Sequence, residues 1–382
     1  PAIRRFDLAQ GLPLGAGEPE SQSGAHQSDR RTPCSMNFTA PRILCSITAA
    51  ALLMAASAAS AAESPDGKAL ATELFTYLGL DHTKRGELEA GEVVHNGLSG
   101  AERLPDEIVA AGAMLLVKAP EAAVVVDAFL HSETFLRIFQ VRRHQALQGG
   151  SPELAAFNTL PLPDTGRLRE IVKAPARNLN LSKAETEKLK SLSSTADDLQ
   201  TRFRTTFAQI LSARLNAYVK AGLAGEQSYV RDNGNVVNPA AELRTAIRSL
   251  AFLADEFPGF VDALGKPSSA GSALTQNYYW MERPVDKENV LVLSAEQRQQ
   301  QGKAAVGADL HFYASRDYNA MLTLIGVVPY GADWMVFAIN HTFTDQVTGF
   351  GSTVRRGVGR DLVAAELGKQ LAETRRKLAG PK

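Results

Sequence analysis

The hydrophobic pattern changes character near residue 275. Upstream of it, apolar residues recur mostly at helical spacing. Leu70, Leu74, Tyr77 and Leu78 predict a helix over 64–79, with Pro65 near its start. A turn at Asp81–Gly86 and a short amphipathic piece over 87–92 follow, and Val93-Val94 opens a strand. Ile108–Val117 is a nearly continuous small-apolar run that ends at Lys118-Ala119-Pro120, the pattern of a buried strand. Pro120-Glu121 starts a helix, because proline is tolerated in a first turn and an acid favours the positive end of the helix dipole. That helix carries Val124, Val125, Ala128 and Phe129, with Phe135 further along, and Phe139–Arg143 predicts another strand.

The stretch from about 151 to 266 reads as helical. Ser182-Lys-Ala-Glu185 is a capping box. Phe203, Phe207, Ile210, Leu211, Leu215, Tyr218 and Val219 form one long apolar face that stops at Lys220-Ala-Gly222. Asp232–Asn235 is a turn. Asn238-Pro239 opens a further helix bearing Leu243, Ile247, Leu250 and Leu253, and 266–271 is a Ser/Gly-rich connector. From Asn277 the period becomes that of strands. Tyr278–Met281, Val290–Ser294, Ala304–Ala314, Ala320–Val328 and Trp334–Asn340, separated by turns, predict an antiparallel meander. A closing helix spans 352–378, with Val354, Val358, Leu362, Leu367, Leu371 and Leu378 on one face. In the last strand Trp334, Val336 and Ala338 alternate with Met335, Phe337 and Ile339, so both of its faces should be covered. The closing helix covers one face, and the central helices, through Phe207, Leu211 and Leu215, cover the other.

The segment 36–62 has a different logic. Met36 leads a short region with one Arg, then an apolar run, then Ser57-Ala58-Ala59-Ser60-Ala61-Ala62. This is the layout of a secretory signal peptide cleaved near Ala62, and it places the mature chain in the periplasm or outside the cell. The run is too short and too rich in Ala and Ser at its end to span a bilayer. Residues 1–35 begin without Met and are rich in Gly, Pro, Ser, Gln and Arg. They read as upstream sequence from a mis-assigned start, with a disordered extension as the alternative. Residues 63–382 are then one domain with a helical insertion at about 151–266.

The whole chain holds 41 Lys+Arg against 41 Asp+Glu, and beyond residue 62 the balance is 36 against 37. No basic field exists to hold nucleic acid. Both cysteines, Cys34 and Cys45, precede residue 63, so the mature chain has neither a disulfide nor a thiol nucleophile. Arg42-Ile43-Leu44 does not suit lipid attachment at Cys45.

Chemistry-bearing groups are sparse. Asp81, Gly86, Glu89 and Glu92 fall at positions 1, 6, 9 and 12 of an EF-hand loop, but Thr83, Lys84 and Arg85 stand where ligands belong, so a helix corner is the plainer reading. No metal or cofactor is expected. Gly349-Phe-Gly351 to Gly357 fits no phosphate-loop spacing, and its glycines read as close packing of the last helix. His311, His341 and Asp345 form the best polar grouping for a hydrolase-like enzyme, although no Gly-x-Ser-x-Gly elbow is present. Arg316–Asn319 is either a ligand-orienting loop or an ordinary hairpin. Aromatic residues concentrate in the β region. If a helix covers them loosely they line an apolar ligand cavity; if tightly they are a filled core, as in a structural or interaction protein.

The strand at 109–118, the helix opening at Ala119-Pro120-Glu121, a second helical piece through Phe135, and a strand near Val141 resemble the start of the START-like, or helix-grip, superfamily. The tail from Tyr278 through Trp334 to the 352–378 helix is similar in kind. The resemblance implies an α+β fold in which a curved antiparallel sheet is gripped by a long C-terminal helix over a hydrophobic cavity. It leaves the helical middle block as an insertion. The expected function is non-catalytic binding of an apolar or amphipathic small molecule, such as a lipid. Tyr279, His311, Tyr313, Arg316, Trp334, Phe337 and His341 are the candidate ligand-binding residues. The chain also resembles uncharacterised secreted bacterial proteins, from which no site motif carries over.

Overall fold

A computed structural model describes residues 67–98, 108–119, 121–147, 154–195, 197–267, 274–285, 288–345 and 352–380. The chain divides into Pro1–Ala59 and Ser60–Lys382. All described residues belong to the second unit. The 1–35 and 36–62 segments and the Gly349–Gly351 part of the glycine-rich loop lie outside the described residues.

The chain begins with α1 (Gly67–Leu78), α2 (His82–Glu89), β1 (Val94–Gly97) and β2 (Ile108–Val117). Next come α3 (Ala122–Leu130), α4 (Ser132–Ile138) and β3 (Arg143–Leu147). A helical block follows: α5 (Thr165–Lys173), α6 (Pro175–Asn178), α7 (Lys183–Lys190), α8 (Leu199–Ala221), α9 (Pro239–Ser249) and α10 (Phe260–Ala263), with a small hairpin of β4 (Tyr229–Val230) and β5 (Val236–Val237). The chain then forms β6 (Thr275–Val285), β7 (Glu288–Gln301), β8 (Ala304–Ala314), β9 (Ala320–Tyr330) and β10 (Asp333–Phe343), and ends in α11 (Ser352–Leu378).

One eight-stranded sheet runs in the order β1-β2-β10-β9-β8-β7-β6-β3, and every neighbouring pair is antiparallel. The meander β6–β10 forms its centre. β2 and β3, joined through α3 and α4, lie on opposite sides of that meander. The fold is therefore α+β, with the C-terminal helix packed on β1 and β2.

Alternation splits each central strand between two cores. On β10, Met335, Phe337 and Ile339 join a core shared with α1 and the helical block. Trp334, Val336 and Ala338 join a second core with Val125 and Phe129 of α3, Phe135 of α4, and Ala364, Leu367 and Leu371 of α11. Both faces are covered, as the double apolar alternation requires. The helices over β9 and β10 on the block side are α1 and α9 rather than α8. Phe207, Leu211 and Leu215 belong to the same core. Helix α8 meets the other half of the sheet, where Tyr218 stacks on Phe312 at 4.0 Å between ring centroids.

Three local expectations are corrected. Asp81 caps α2 by accepting from the Lys84 amide at 3.0 Å, so 82–89 is helical where the sequence pattern places a turn over 81–86. Phe139 does not start a strand: its ring is buried with α3 and α4, Gln140 turns the chain at φ 52°, and β3 begins only at Arg143. The expected apolar face of α11 holds at Leu367, Leu371 and Leu378 but shifts in the first half of the helix, where Ala364 is buried while Val358 and Leu362 are 54% and 44% exposed. Small residues set that shift. A Cβ on Gly368 would lie 3.0 Å from the His95 ring, and one on Gly97 of β1 would lie 2.7 Å from the Arg360 Cβ.

Candidate functional site

Asn277, Glu296, Asp309, Thr323 and Asn340 are register neighbours on five successive strands, β6 to β10. They form a polar row across the middle of the sheet. The row alternates onto the face of Ala305, Ile325 and Val336, the face covered by α3, α4 and α11. Two residues from Asp309, a Cβ on Gly307 would meet Leu130 of α3 at 3.2 Å and Phe135 of α4 at 3.5 Å. Glu296, Asp309, Thr323 and Asn340 are all buried. A parallel row holds Tyr279, Ser294, His311, Met321 and Thr342.

A register shift between Leu293 and Ser294 makes β8 bulge at Phe312. His311 then faces α3 and α4, while Phe312 and Tyr313 both turn to the helical block.

One end of the polar row is internally paired. Asn340 Nδ2 donates to Thr323 Oγ1 at 2.7 Å, and Thr342 Oγ1 donates to Asn340 Oδ1 at 2.8 Å. Arg298 pairs with Glu296 and donates to Ser132 Oγ at 2.8 Å, and Ser132 shares a 3.1 Å hydrogen bond with the Tyr279 hydroxyl. The middle is not paired. His311 Nδ1 meets the Tyr318 hydroxyl at 2.8 Å, but its Nε2 has no partner. The Ser294 hydroxyl lies against the Asp309 carboxyl and favours its charged form, and Asp309 Oδ1 has no other partner. Asp309 Oδ1 and His311 Nε2 lie 4.0 Å apart, too far for a direct hydrogen bond and close enough for one oxygen atom to bridge them.

Burial disfavours the charged form of each of these groups. It pushes the Asp309 carboxyl up to about 8, with the neighbouring Glu296 charge adding to the shift. It raises Glu296 as well, against the pull of Arg298. It holds His311 well below the usual imidazole range, with Arg283 nearby acting the same way. The Arg283 guanidinium lies 5.4 Å from the Phe139 ring centroid and 5.7 Å from that of Tyr318.

The sheet divides the residues singled out from sequence. Tyr279, His311 and Trp334 lie on the α3–α4–α11 face, where Trp334 Nε1 donates to the Ala119 carbonyl at 3.1 Å. Tyr313, Phe337 and His341 lie on the opposite face. Arg316 sits at the strand ends, paired with Glu288 and Asp317 at 3.2 Å each. The structure therefore does not bring His311, His341 and Asp345 together. His341 Nε2 is 2.7 Å from the Tyr77 hydroxyl, which is 3.0 Å from Ser249 Oγ, and burial lowers the imidazole to about 4. Asp345 accepts from Arg231 at 2.8 Å and from Asn319 at 3.0 Å.

Arg231 also reaches Asn180 and donates to Asn319 at 2.6 Å. The Arg316–Asn319 loop is thereby tied to the helical block, beside a cleft of about 220 Å³.

The block has its own buried charge centre. Arg214 donates to Glu185 at 2.6 Å and to Glu226 at 3.5 Å, and its guanidinium lies 4.7 Å from the Tyr313 ring centroid. Glu185 also completes the Ser182 capping box, so one carboxylate fixes both a helix start and the arginine. Burial, with Glu185 adding, raises Glu226 to about 8.

Sequence reasoning missed Glu296, Asp309, Arg283, Arg298 and Arg214. The detectable signal was Asp309, an acid two positions from His311 on one face of the otherwise apolar Ala304–Ala314 strand. Among the described residues, no group of three or more His, Cys, Asp or Glu is arranged to hold a metal ion, and no helix is long and apolar enough to cross a membrane. No protein-family model matches the chain, and no curated protein matches it.

Proposed function

We propose that this chain is an exported, non-catalytic binding protein whose ligand is a small amphipathic molecule held between the sheet and the layer of α3, α4 and α11. The observation that carries this reading is the convergence of Asp309 Oδ1 and His311 Nε2, buried and poorly satisfied beside the Ser294 hydroxyl, inside an otherwise apolar layer. An unpaired buried polar group costs about 1–3 kcal/mol, so two at one place favour an occupant that satisfies them. The surrounding Met281, Val292, Met321, Ile325 and Leu367 suit an apolar body. A START-like, helix-grip architecture is part of the proposal. Its support is the path from β2 through α3 and α4 to the far strand, then back across the meander to α11 beside β2. The Met36–Ala62 pattern supports export, and N-terminal sequencing of secreted protein ending the leader away from Ala62 would count against it.

The test is dodecanol binding to the 63–382 chain, followed by thermal melting. A ligand at 100 times its Kd should add about 2.7 kcal/mol to stability. Organic extraction and mass spectrometry of natively purified protein should release an amphipathic molecule. A protein that carries nothing and melts at an unchanged temperature would overturn the reading.

A further inference from the structure

Arg283 differs from every other inward-facing arginine described above. Arg214 has Glu185 and Glu226, Arg231 has Asp345, Arg298 has Glu296, and Arg316 has Glu288 and Asp317. Among the described residues, no carboxylate lies within ion-pairing distance of Arg283. Its polar partners are neutral: NH1 reaches the Met321 sulfur at 3.5 Å, a weak acceptor, the side chain hydrogen-bonds the Tyr318 hydroxyl, and Nε has no partner. The guanidinium stands against the Phe139 and Tyr318 rings, beside the Tyr318–His311 hydrogen bond. A planar, permanently charged fork held against aromatic rings matches a carboxylate better than any neutral group, because two parallel N–H···O bonds can form.

We infer that the ligand of this site is an amphipathic carboxylic acid whose carboxylate lies against Arg283 and whose hydrocarbon body runs along Met321 and Ile325 under α3. The inference rests on the binding reading above and names its ligand class. Asp309 and His311 do not neutralise the guanidinium at pH 6.5, since burial pushes the Asp309 carboxyl up to about 8 and favours the neutral His311 imidazole. A protonated Asp309 is instead a hydrogen-bond donor available to the ligand head.

The test compares dodecanoate with dodecanol by calorimetry at pH 6.5, on the 63–382 chain and two variants. The wild-type protein should bind dodecanoate at least about tenfold more tightly than dodecanol, a difference of about 1.4 kcal/mol. Arg283→Gln should weaken dodecanoate binding at least about tenfold and so remove that preference, with an unchanged near-UV circular dichroism spectrum reporting a folded site. Arg283→Lys should keep part of the preference, having the charge without the fork. Equal binding of the two ligands by wild type, or an undiminished preference in Arg283→Gln, overturns the acid assignment and leaves the binding site standing. If neither ligand binds the wild-type protein, the site and the inference fall together.

Discussion

The two faces of the sheet bury their charged groups differently, although each leaves polar atoms without partners, the Tyr218 and Tyr313 hydroxyls and His341 Nδ1 on the helical-block side among them. On the helical-block side, Arg214 sits in the core with two carboxylates, and His341 is linked through Tyr77 to Ser249. Each of those groups joins elements distant in sequence, as a fold-specifying contact does. On the α3–α4–α11 side, the polar row lies on the sheet itself. Its centre, at Ser294, Asp309 and His311, ties no helix down.

The two arginines sharpen this contrast most. Arg214→Ala should lower stability by about 3–5 kcal/mol, because Glu185 and Glu226 would be left buried without a cation. Chemical denaturation measures this. Arg283→Gln should change ligand-free stability by less than about 1 kcal/mol, since it breaks no ion pair. Comparable losses in the two variants would erase the distinction between the faces.

The pH dependence of stability comes next in size. A carboxyl whose folded pKa lies above its unfolded one stabilises the fold while it keeps its proton. For Asp309 that contribution is complete below about 3.8 and is lost as pH rises through about 8. Glu226 behaves the same way between 4.5 and about 8. His341, lowered from 6.5 to about 4, has the opposite sign, but its effect is finished above pH 6.5. Stability should therefore fall between pH 6.5 and 8, by about 1–2 kcal/mol for each carboxyl. Asp309→Asn and Glu226→Gln should each flatten part of that slope in melts across the range. A flat wild-type profile would mean that these carboxyls are already ionised at pH 6.5.

Removing polarity without a partner should help the empty protein. Asp309→Leu is expected to raise ligand-free stability by about 1 kcal/mol and to weaken ligand binding. Loss of stability in this variant would make Asp309 an ordinary structural residue. The smallest effect is expected at Tyr77→Phe, which cuts the His341–Ser249 link. It should cost about 1 kcal/mol in denaturation and leave ligand affinity unchanged.

The meander and the closing helix were legible because strand period, turn chemistry and helix period agree over 275–378. Helix boundaries with strong caps, such as Ser182 with Glu185, were legible for the same reason. The shift in the first half of α11 was not. It depends on where backbones approach, at Gly368 against His95, and residue size misplaced Val358 and Leu362 while placing Leu367 and Leu371 correctly. The site was half visible. Tyr279 and His311 sit in it, but period-2 alternation cannot say which face of a doubly covered strand meets which helices. His311 and His341 therefore looked like neighbours although the sheet separates them. The Phe312 bulge hid the facing further, because it puts Phe312 and Tyr313 on one side. Arg214 with Glu185 and Glu226, and the Glu296–Asp309 adjacency, are products of tertiary register with no local signature.

Strand β9 carries the most direct test. Met321 and Ile325 face α3, α4 and α11, while Leu322 and Leu324, their neighbours in sequence, face the helical block. Methyl resonances of these four residues, followed by NMR during titration with dodecanoate, read the two faces separately. The account predicts saturable shifts at Met321 and Ile325 well above those at Leu322 and Leu324. Shifts confined to Leu322 and Leu324, or no saturable shift at any of the four, would contradict it.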